Sequence, residues 1–499
     1  MQKELRFPLM LALGLVCFEL LVVGIAAFGQ PEGTRWLGST IMNSSDAAVY
    51  LNYIKQGSLW LTNLYAVEPS VVRFDLFWST LSAIHSITGV SPIVIHELAR
   101  VLATVALAFS LYAASRSLTD NPRSALFASF LASCGVGLGW LLSVGLGAGI
   151  VMLPHDLIIP DLHTEFSVAP SLLGGAHMIL SIALLLFIVR AIWTDTKNQR
   201  WIATALAIAV LTLFHPYFIP LLGTLMLFRK RAILIPALLP AILYYANLMN
   251  DPTFKLHHFG SNELPLSHPV AWIFTLAPAI AGLLWMKQRP EWKSWLKQCD
   301  WCIAWIVAAT LLAVFLPVPW SRKLTEGLVI PIVFLTLPAW QALAAWFKRI
   351  WAPYFYIIAL LSPFYLLMSQ FHWNHSTDFP HAFNQPNDVF TAWSYLESKN
   401  ESVTLSDDDG VALWTPAWTG QTTYYGHPHE TPFYEEKLRA RVWYFDGVVS
   451  NTGANMIMQK PITHILITKP AHRTPTPRIP SDEWTIVLDL PNAILLEEK

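Results

Sequence analysis

A single carboxylate, Asp46, follows the first long apolar segment of the chain and lies in a loop that runs from Gln30 to about Pro92. An ionised carboxylate in a hydrated loop can take a proton from a hydroxyl group, so Asp46 is a candidate general base. A structural interpretation is also open. The loop has the pattern of two helices lying on a membrane, with Ser45 as the cap of the first, and acids are favoured at helix N-termini.

A second polar loop holds five titratable side chains within eleven residues and no Lys or Arg. These are His155, Asp156, Asp161, His163 and Glu165, and His177 follows in the next apolar segment. His and carboxylate groups can bind a divalent metal, contact a substrate, or simply be hydrated. Of these three alternatives, the metal is the least favoured. Asp156 is our candidate for a second catalytic carboxylate, and Asp161, Glu165 and His177 are candidate substrate contacts.

Two adjacent cations, Arg322 and Lys323, lie in a later loop with Glu326 three residues on. Arg binds phosphate oxygens with two parallel hydrogen bonds, whereas Lys supplies a point charge. The pair therefore indicates a retained anion, with Glu326 as a residue that could orient one of the cations. Snorkelling of both side chains to the membrane surface is the alternative. His257 and His258 are further candidates for substrate contact.

The elements that must position these residues are membrane helices. The 499 residues are 54% hydrophobic and only 13% charged, whereas soluble domains carry about 25% charged residues. We predict about eleven spans. They are Phe7–Gly29, Ile95–Ala114, Ser124–Leu146, Leu172–Val189, Trp201–Phe214, Ile219–Phe228, Ala232–Leu248, Val270–Met286, Trp301–Leu316, Leu328–Phe347 and Tyr354–Met368. The segment Ile219–Phe228 is too short to cross a bilayer alone.

The distribution of basic residues orients the spans. Loops on one side carry 16 Lys and Arg residues, against 6 in the opposite loops outside the C-terminal tail. The positive-inside rule therefore predicts a plasma membrane protein with a cytoplasmic N-terminus and an extracytoplasmic tail. Within the first and second spans, Glu19 and Arg100 are predicted to form a structural ion pair, with proton transfer as the alternative.

The tail is chemically different from the rest of the chain, because 16 of the 33 acids but 9 of the 32 bases follow Gln370. We therefore predict a transmembrane domain over 1–371 and a small soluble α/β domain over 372–499. The predicted tail elements are a helix at Val389–Ser398 and strands at Ser402–Leu405, Ile462–Thr468 and Trp484–Leu488. An aromatic and polar cluster in the tail either contacts a sugar or docks the tail onto the membrane body. Its members are Tyr424, Tyr425, His427, His429 and Glu430.

With these residues in place, the chain resembles the GT-C superfamily of polytopic glycosyltransferases, and a group of prokaryotic GT-C-like membrane proteins within it. The similar stretches begin at Asp46, His155, Trp320 and Thr419. The resemblance implies a sugar donor linked to polyprenyl phosphate, a base at Asp46, and a cationic contact to the lipid phosphate. Many members carry a second acid beside the first. Ser45 stands there in this chain, so Asp156, Asp161 or Glu165 would have to supply it.

The resemblance implies inverting transfer of a hexosyl or pentosyl group to a glycan, lipid or protein on the extracytoplasmic side. The expected partners are the donor, the bilayer and the acceptor, with no nucleic acid and no cofactor. The tail has no WWD-type motif, which argues against the oligosaccharyltransferase branch. A transporter or lipid flippase is an alternative, although the internal repeats common in transporters are absent from the sequence. A non-catalytic glycan-assembly protein is another.

Overall fold

The computed structural model describes twelve ranges of the chain, and these are predominantly helical. They are 2–42, 44–68, 70–135, 137–147, 158–194, 200–256, 264–350, 360–374, 383–399, 401–446, 462–469 and 484–499. Asp156, His155, His257 and His258 lie outside the described residues. The predictions made for them therefore stay predictions.

The α-helices and short 3-10 helices are as follows. The α-helices are Gln2–Phe28, Ser44–Lys55, Leu76–Thr88, Pro92–Arg116, Pro122–Cys134, Gly139–Gly147, Val168–Gly174, Ala176–Thr194, Trp201–Phe214, Ile219–Phe228, Leu239–Leu248, Pro252–Leu256, Pro269–Lys287, Trp292–Gln298, Asp300–Phe315, Val329–Leu335, Leu337–Ile350, Leu361–Asn374, Asn387–Glu397, Asp409–Thr419 and Tyr434–Asp446. The 3-10 helices are Pro160–Leu162, Pro216–Phe218, Ala232–Leu238 and Ser321–Thr325.

Several of these helices have the length and apolarity of membrane spans. Within the described ranges there are five such helices, or seven if two bent helix pairs each count as one span. Three shorter apolar helices lie between them, at Trp201–Phe214, Pro216–Phe228 and Ala232–Leu248. The chain is thus an integral membrane protein. The count of eleven spans and the orientation of the termini stay predictions.

The chain divides into two compact units. The first comprises Met1–Val22, Glu97–Tyr245 and Glu263–Gln370, and the second comprises Val23–His96, Ala246–Asn262 and Phe371–Lys499. The second unit therefore contains both the long first loop and the C-terminal tail. The predicted domain boundary at 371/372 describes the tail alone and stays a prediction.

Within the first unit, the predicted pair between Glu19 and Arg100 is confirmed. Nε of Arg100 lies 3.1 Å from Oε1 of Glu19, and Thr104 donates a 2.6 Å hydrogen bond to the other carboxylate oxygen. Arg100 also contacts Glu97. Glu19 and Arg100 are both buried. Because a charge left alone in such a place would be very costly, the pair holds the first two long helices in a fixed register.

In the second unit, the tail forms a mixed five-stranded sheet. The strands of this unit are β1 (Thr34–Trp36), β2 (Asn384–Pro386), β3 (Val403–Ser406), β4 (Thr422–Thr423), β5 (His464–Thr468), β6 (Trp484–Asp489) and β7 (Ala493–Glu498). The sheet has the order β4-β3-β5-β7-β6, in which β3 is parallel to β4 and β5 while β7 is antiparallel to β5 and β6. The three strands predicted in the tail are β3, β5 and β6.

The first loop is joined to the tail by a short sheet and by an apolar core. Strand β1 pairs antiparallel with β2. The helix Ser44–Lys55 buries Ala47, Ala48 and Leu51 in a cluster that includes Trp393 and Trp414 of the tail. These three residues pack against the tail, and most of the other residues of the helix are buried as well. Asp46 precedes this buried stretch and remains partly exposed.

Candidate functional site

Asp46 lies in the first turn of the helix Ser44–Lys55, the first of the two helices predicted in this loop. The helix begins at Ser44, so the prediction that Ser45 caps it is wrong, and Ser45 belongs to the first turn. The side chain of Asp46 keeps 36% of its surface exposed, although the three residues that follow are buried. The unpaired N–H groups at a helix N-terminus stabilise a nearby negative charge. Asp46 is thus an accessible carboxylate at a place that favours its charge.

His427 of the tail is the partner of Asp46. Backbone N–H groups of His429 and Glu430 each donate a 3.2 Å hydrogen bond to Nδ1 of His427. A ring nitrogen that accepts hydrogen bonds carries no proton, so the proton of the neutral imidazole is on Nε2. Nε2 lies 3.2 Å from Oδ1 of Asp46 and donates to it. The buried ring therefore orients the carboxylate of Asp46.

The turn that carries His427 is fastened to the first loop by Glu430. Tyr53, on the same helix as Asp46, donates a 3.1 Å hydrogen bond to Oε1 of Glu430. Asn63 donates a 2.7 Å bond to the Glu430 carbonyl, and Arg73 lies 3.6 Å from the Glu430 carboxylate. These contacts hold His427 against Asp46 across 381 positions of sequence.

Gly426 allows this turn to approach the first loop closely. A Cβ atom there would lie 2.8 Å from Cδ1 of Tyr65 and 2.9 Å from the carbonyl oxygen of Ala412. The Tyr65 hydroxyl donates a 2.9 Å bond to the Leu413 carbonyl. Burial, together with the negative charges of Glu430 and Asp46, raises the pKa of Tyr65 well above its usual value. The phenol of Tyr65 thus stays uncharged, and its ring lies beside the ring of His427.

Two members of the tail's aromatic cluster belong to the core and present no ring to a sugar. Tyr424 and Tyr425 are buried among the apolar residues of the sheet, and the Tyr425 hydroxyl donates a 3.1 Å bond to the Ser406 carbonyl. For these two residues the sugar-contact interpretation is wrong. His427 and Glu430 instead dock the tail, and the surface they contact is the first loop.

In the first unit, Arg322 and Lys323 surround Glu165. Nζ of Lys323 lies 3.1 Å from Oε1 of Glu165, Nε of Arg322 lies 3.6 Å from Oε2, and His163 contacts Oε2 as well. Burial raises the pKa of Glu165, but Lys323, His163 and Arg322 outweigh it and hold that pKa well below its usual range. Two fixed cations thus face one carboxylate, and the cluster is net positive.

The guanidinium of Arg322 has unused capacity for a ligand. It is only 7% exposed, so its charge is held inside the protein and does not reach out to the membrane surface as a snorkelling side chain would. Among the described residues, its Nε has no hydrogen-bond partner, because the 3.6 Å to Glu165 is too long. A buried N–H donor without a partner is costly. An anion that enters the cluster would supply the missing acceptor.

Glu326 has a different role from the one predicted. Nε2 of His215 lies 2.8 Å from Oε2 of Glu326, and Ser181 donates a 3.0 Å bond to Oε1. The expected pairing with Arg322 or Lys323 is therefore wrong, since Glu165 occupies that position. The ring of His177 lies 6.2 Å from that of His215. Glu326 thus ties the 3-10 helix Ser321–Thr325 to the helix break at His215.

Asp161 is a structural group in the same unit. It accepts a 3.0 Å bond from the Gly139 amide and a 2.9 Å bond from the Thr275 hydroxyl. Burial raises its pKa to about 6. The carboxylate is 1% exposed and a Cβ atom at Gly139 would lie 1.8 Å from its Oδ1. Asp161 therefore fastens two helices together, and a substrate contact by it stays a prediction.

The chain is similar over nearly its whole length to a solved structure. No family model and no curated protein matches the chain. The arabinofuranosyltransferase AftD from Mycobacteria superposes over 99% of this chain and 40% of its own length, with a TM-score of 0.54 and 13% identity. The chain has the fold of GT-C glycosyltransferases. It spans less than half the length of AftD.

Two other GT-C structures are similar at lower scores. The Archaeoglobus fulgidus oligosaccharyltransferase AglB, solved with an inhibitory peptide and a dolichol-phosphate, has a TM-score of 0.49 and 10% identity, covering 92% of this chain and 69% of that one. ArnT from Cupriavidus metallidurans, bound to undecaprenyl phosphate, has a TM-score of 0.44 and 10% identity over 91% and 97%.

The sequence singles out Asp46 as a candidate base but does not reveal its partners. His427, Glu430 and Arg73 reach the site from segments that no local pattern connects to Asp46. The sequence feature that could have indicated these partners is the cluster of polar side chains around His427. The sequence is compatible both with contact between this cluster and a sugar and with docking of the tail. In the described part of the chain, no three His, Cys, Asp or Glu side chains are grouped as a metal site.

Proposed function

We propose that this chain is a membrane glycosyltransferase that moves a hexosyl or pentosyl group from a polyprenyl-phosphate donor to a hydroxyl group of an extracytoplasmic acceptor. A glycan, a lipid or a protein could supply that hydroxyl. The Asp46–His427 pair carries the proposal, because it presents an oriented, accessible carboxylate in a chain with the GT-C fold. AftD is named as an arabinofuranosyltransferase, and sugar transfer is the chemistry we extend to this chain.

The reaction needs one proton transfer and one displacement. Asp46 takes the proton of the acceptor hydroxyl while that oxygen forms a bond to the anomeric carbon of the donor. The bond between that carbon and the phosphate oxygen breaks, and the electron pair leaves with the polyprenyl phosphate. Attack from the face opposite the phosphate inverts the anomeric centre, as in inverting glycosidases. His427 keeps Asp46 oriented throughout.

The leaving phosphate needs positive charge, which we assign to Arg322 and Lys323. These residues belong to the first unit, and their role rests on charge and on the open donor of Arg322. Their cluster contains two permanent cations and one carboxylate, so the singly charged phosphodiester of the donor would bring it to neutrality. Stabilising charge that grows as the bond breaks is the largest single contribution in many enzymes.

Glu165 then competes with the phosphate for the same cations. We expect Glu165→Gln to bind polyprenyl phosphate roughly ten-fold more tightly, since a charged competitor for strong hydrogen bonds is replaced by a neutral one. Release of the product should slow accordingly. The measurement is equilibrium binding of polyprenyl phosphate to purified protein in detergent. Weaker binding in this variant would make Glu165 a scaffold for the cations and would overturn its role as a competitor.

The proposed function is tested by incubating purified protein in detergent with labelled sugars on polyprenyl phosphate or on nucleotides. Extracted envelope glycans and lipids serve as acceptors. We expect label to move only from a polyprenyl-phosphate donor, with one polyprenyl phosphate released per transfer. A transporter would give no labelled covalent product in this experiment, and in detergent it has no enclosed compartment into which it could move the donor. If no donor reacts, while reconstituted vesicles accumulate an intact lipid-linked sugar, the transferase proposal fails.

A further inference from the structure

A groove of about 370 Å³, open to solvent, lies in the first unit where the helix Gln2–Phe28 begins. Its lining residues come from the start of that helix and from the start of the helix Pro122–Cys134. They are Glu4, Arg6, Phe7, Asn121, Pro122 and Arg123. The reaction proposed above uses none of them. The volume lies within the range of small-molecule sites, about 300–1,000 Å³.

The base of the groove is packed, so its shape is set before any ligand arrives. Phe7 is buried in an apolar cluster with Tyr112 and Ala125, and its ring lies 6.2 Å from that of Tyr112 and nearly parallel to it. The Asn121 side chain accepts a 3.0 Å hydrogen bond from the Arg123 amide and thereby fixes the start of the second helix. A site that is organised in advance loses little conformational entropy on binding.

Positive charge exceeds negative charge in the groove. Arg6 and Arg123 line it together with one acid, Glu4. Arg116 lies 3.5 Å from the Glu4 carboxylate and balances its charge. Among the described residues, no carboxylate forms an ion pair with Arg6 or Arg123, and the guanidinium of Arg6 lies 4.8 Å from the centre of the Phe7 ring. Two guanidinium groups are therefore available to a ligand.

The ends of the helices add to this positive charge. Gln2–Phe28 and Pro122–Cys134 both begin at the groove, whereas Pro92–Arg116 ends beside Glu4. Helix N-termini carry a partial positive charge and C-termini a partial negative one. The single C-terminus carries its own cation, Arg116. Since guanidinium groups form parallel hydrogen bonds to phosphate oxygens, the groove suits a phosphate group.

The surroundings of the groove favour a phosphate that belongs to a lipid. The next turns of the first helix expose more than half of the surface of Leu9, Met10 and Leu13, and in a membrane helix such side chains face acyl chains. A lipid headgroup in the groove would bring its acyl chains beside them, whereas a free phosphate would make no use of them. Arg6 and Arg123 also belong to the loops that the excess of basic residues assigns to the cytoplasm. The cytoplasmic leaflet carries anionic lipids.

We propose that this groove binds the headgroup of an anionic phospholipid, with its phosphodiester held between Arg6 and Arg123. The bound headgroup would join the first helix to the helix Pro122–Cys134. The donor phosphate is assigned to Arg322 and Lys323, in a loop predicted on the opposite side of the membrane. The inference therefore goes beyond the proposed function and does not depend on it.

The test is lipid binding by the purified, delipidated chain in a neutral detergent, measured by native mass spectrometry. We expect wild type to bind one phosphatidylglycerol about ten-fold more tightly than phosphatidylcholine, which has no net charge. A cation beside an anionic headgroup contributes about five-fold to binding, so Arg6→Gln and Arg123→Gln should each lose about that much. Arg123→Lys should recover part of the loss, because it keeps the charge but not the parallel hydrogen bonds.

The matched control is Arg289→Gln, which removes an exposed cation of another loop on the same predicted side, outside the groove. It should bind phosphatidylglycerol as wild type does. Because Arg6 and Arg123 are exposed, all variants should unfold at the wild-type temperature without lipid. Equal binding of the two lipids by wild type, unchanged binding in both arginine variants, or an equal loss in Arg289→Gln would overturn the site. Displacement of phosphatidylglycerol by millimolar inorganic phosphate would assign the groove to free phosphate and overturn the lipid.

Discussion

Asp46→Asn is expected to lower the rate of sugar transfer by about 10²–10⁴-fold, the usual contribution of a general base. Asn has nearly the same shape and still accepts the hydrogen bond from Nε2 of His427, but it cannot take a proton. The loss corresponds to about 3–5 kcal/mol of transition-state stabilisation. The measurement is the initial rate of transfer from a polyprenyl-phosphate donor by purified protein.

The control is another carboxylate of the same loop. Glu32 is exposed and lies in a turn before the helix Ser44–Lys55, so Glu32→Gln should transfer sugar at the wild-type rate. Thermal unfolding in detergent should be similar for both variants and wild type, because neither change removes apolar contacts. Wild-type activity in Asp46→Asn would assign the base to another residue and leave Asp46 as a helix N-terminal acid.

Arg322→Ala is expected to weaken binding of polyprenyl phosphate and to slow transfer together, each by roughly 10–100-fold. A hydrogen bond to a charged group contributes about 1.5–3 kcal/mol, and this one strengthens as the phosphate leaves. Arg322→Lys should recover part of the loss, since a point charge cannot form two parallel hydrogen bonds. Donor binding and single-turnover rates are measured for both variants.

Lys323→Ala separates a phosphate site from a purely structural cluster. Lys323 lies closer to Glu165 than Arg322 does, at 3.1 Å. If the cluster were purely structural, Lys323→Ala should therefore lower the unfolding temperature more than Arg322→Ala does. In a phosphate site, Lys323→Ala weakens lipid-phosphate binding as well. If all three variants bind polyprenyl phosphate as wild type does, the phosphate contact lies elsewhere in the chain.

The structural features that can be predicted from the sequence are those with a local or compositional cause. Strands β3, β5 and β6 follow from short β-branched runs, and the helix Asn387–Glu397 follows from its apolar spacing. Strand β7 was missed, although Pro491 and Asn492 form the turn of a hairpin with β6. Adjacent Pro and Asn residues often mark a turn, so strand β7 could have been predicted from the sequence.

The partners of the site residues could not be obtained in this way. Asp46 meets His427, and Glu165 meets Lys323, only because the intervening chain folds back over 381 and 158 positions. The spacing of titratable residues cannot distinguish Glu326, which faces His215, from Glu165, which faces the cations. The folded structure decides between them, because a buried carboxylate needs a hydrogen-bond donor or a cation within reach.

The most direct test of the account is a single-turnover experiment with donor bound in advance to wild type and to Asp46→Asn. We predict that the two proteins bind the polyprenyl-phosphate sugar equally well. On addition of acceptor, wild type should transfer the sugar and release polyprenyl phosphate in equal amounts, while the variant does so about 10²–10⁴-fold more slowly. Equal rates of transfer would contradict the role of Asp46 as the base. Donor that stays intact on wild type, with acceptor present, would contradict the transferase itself.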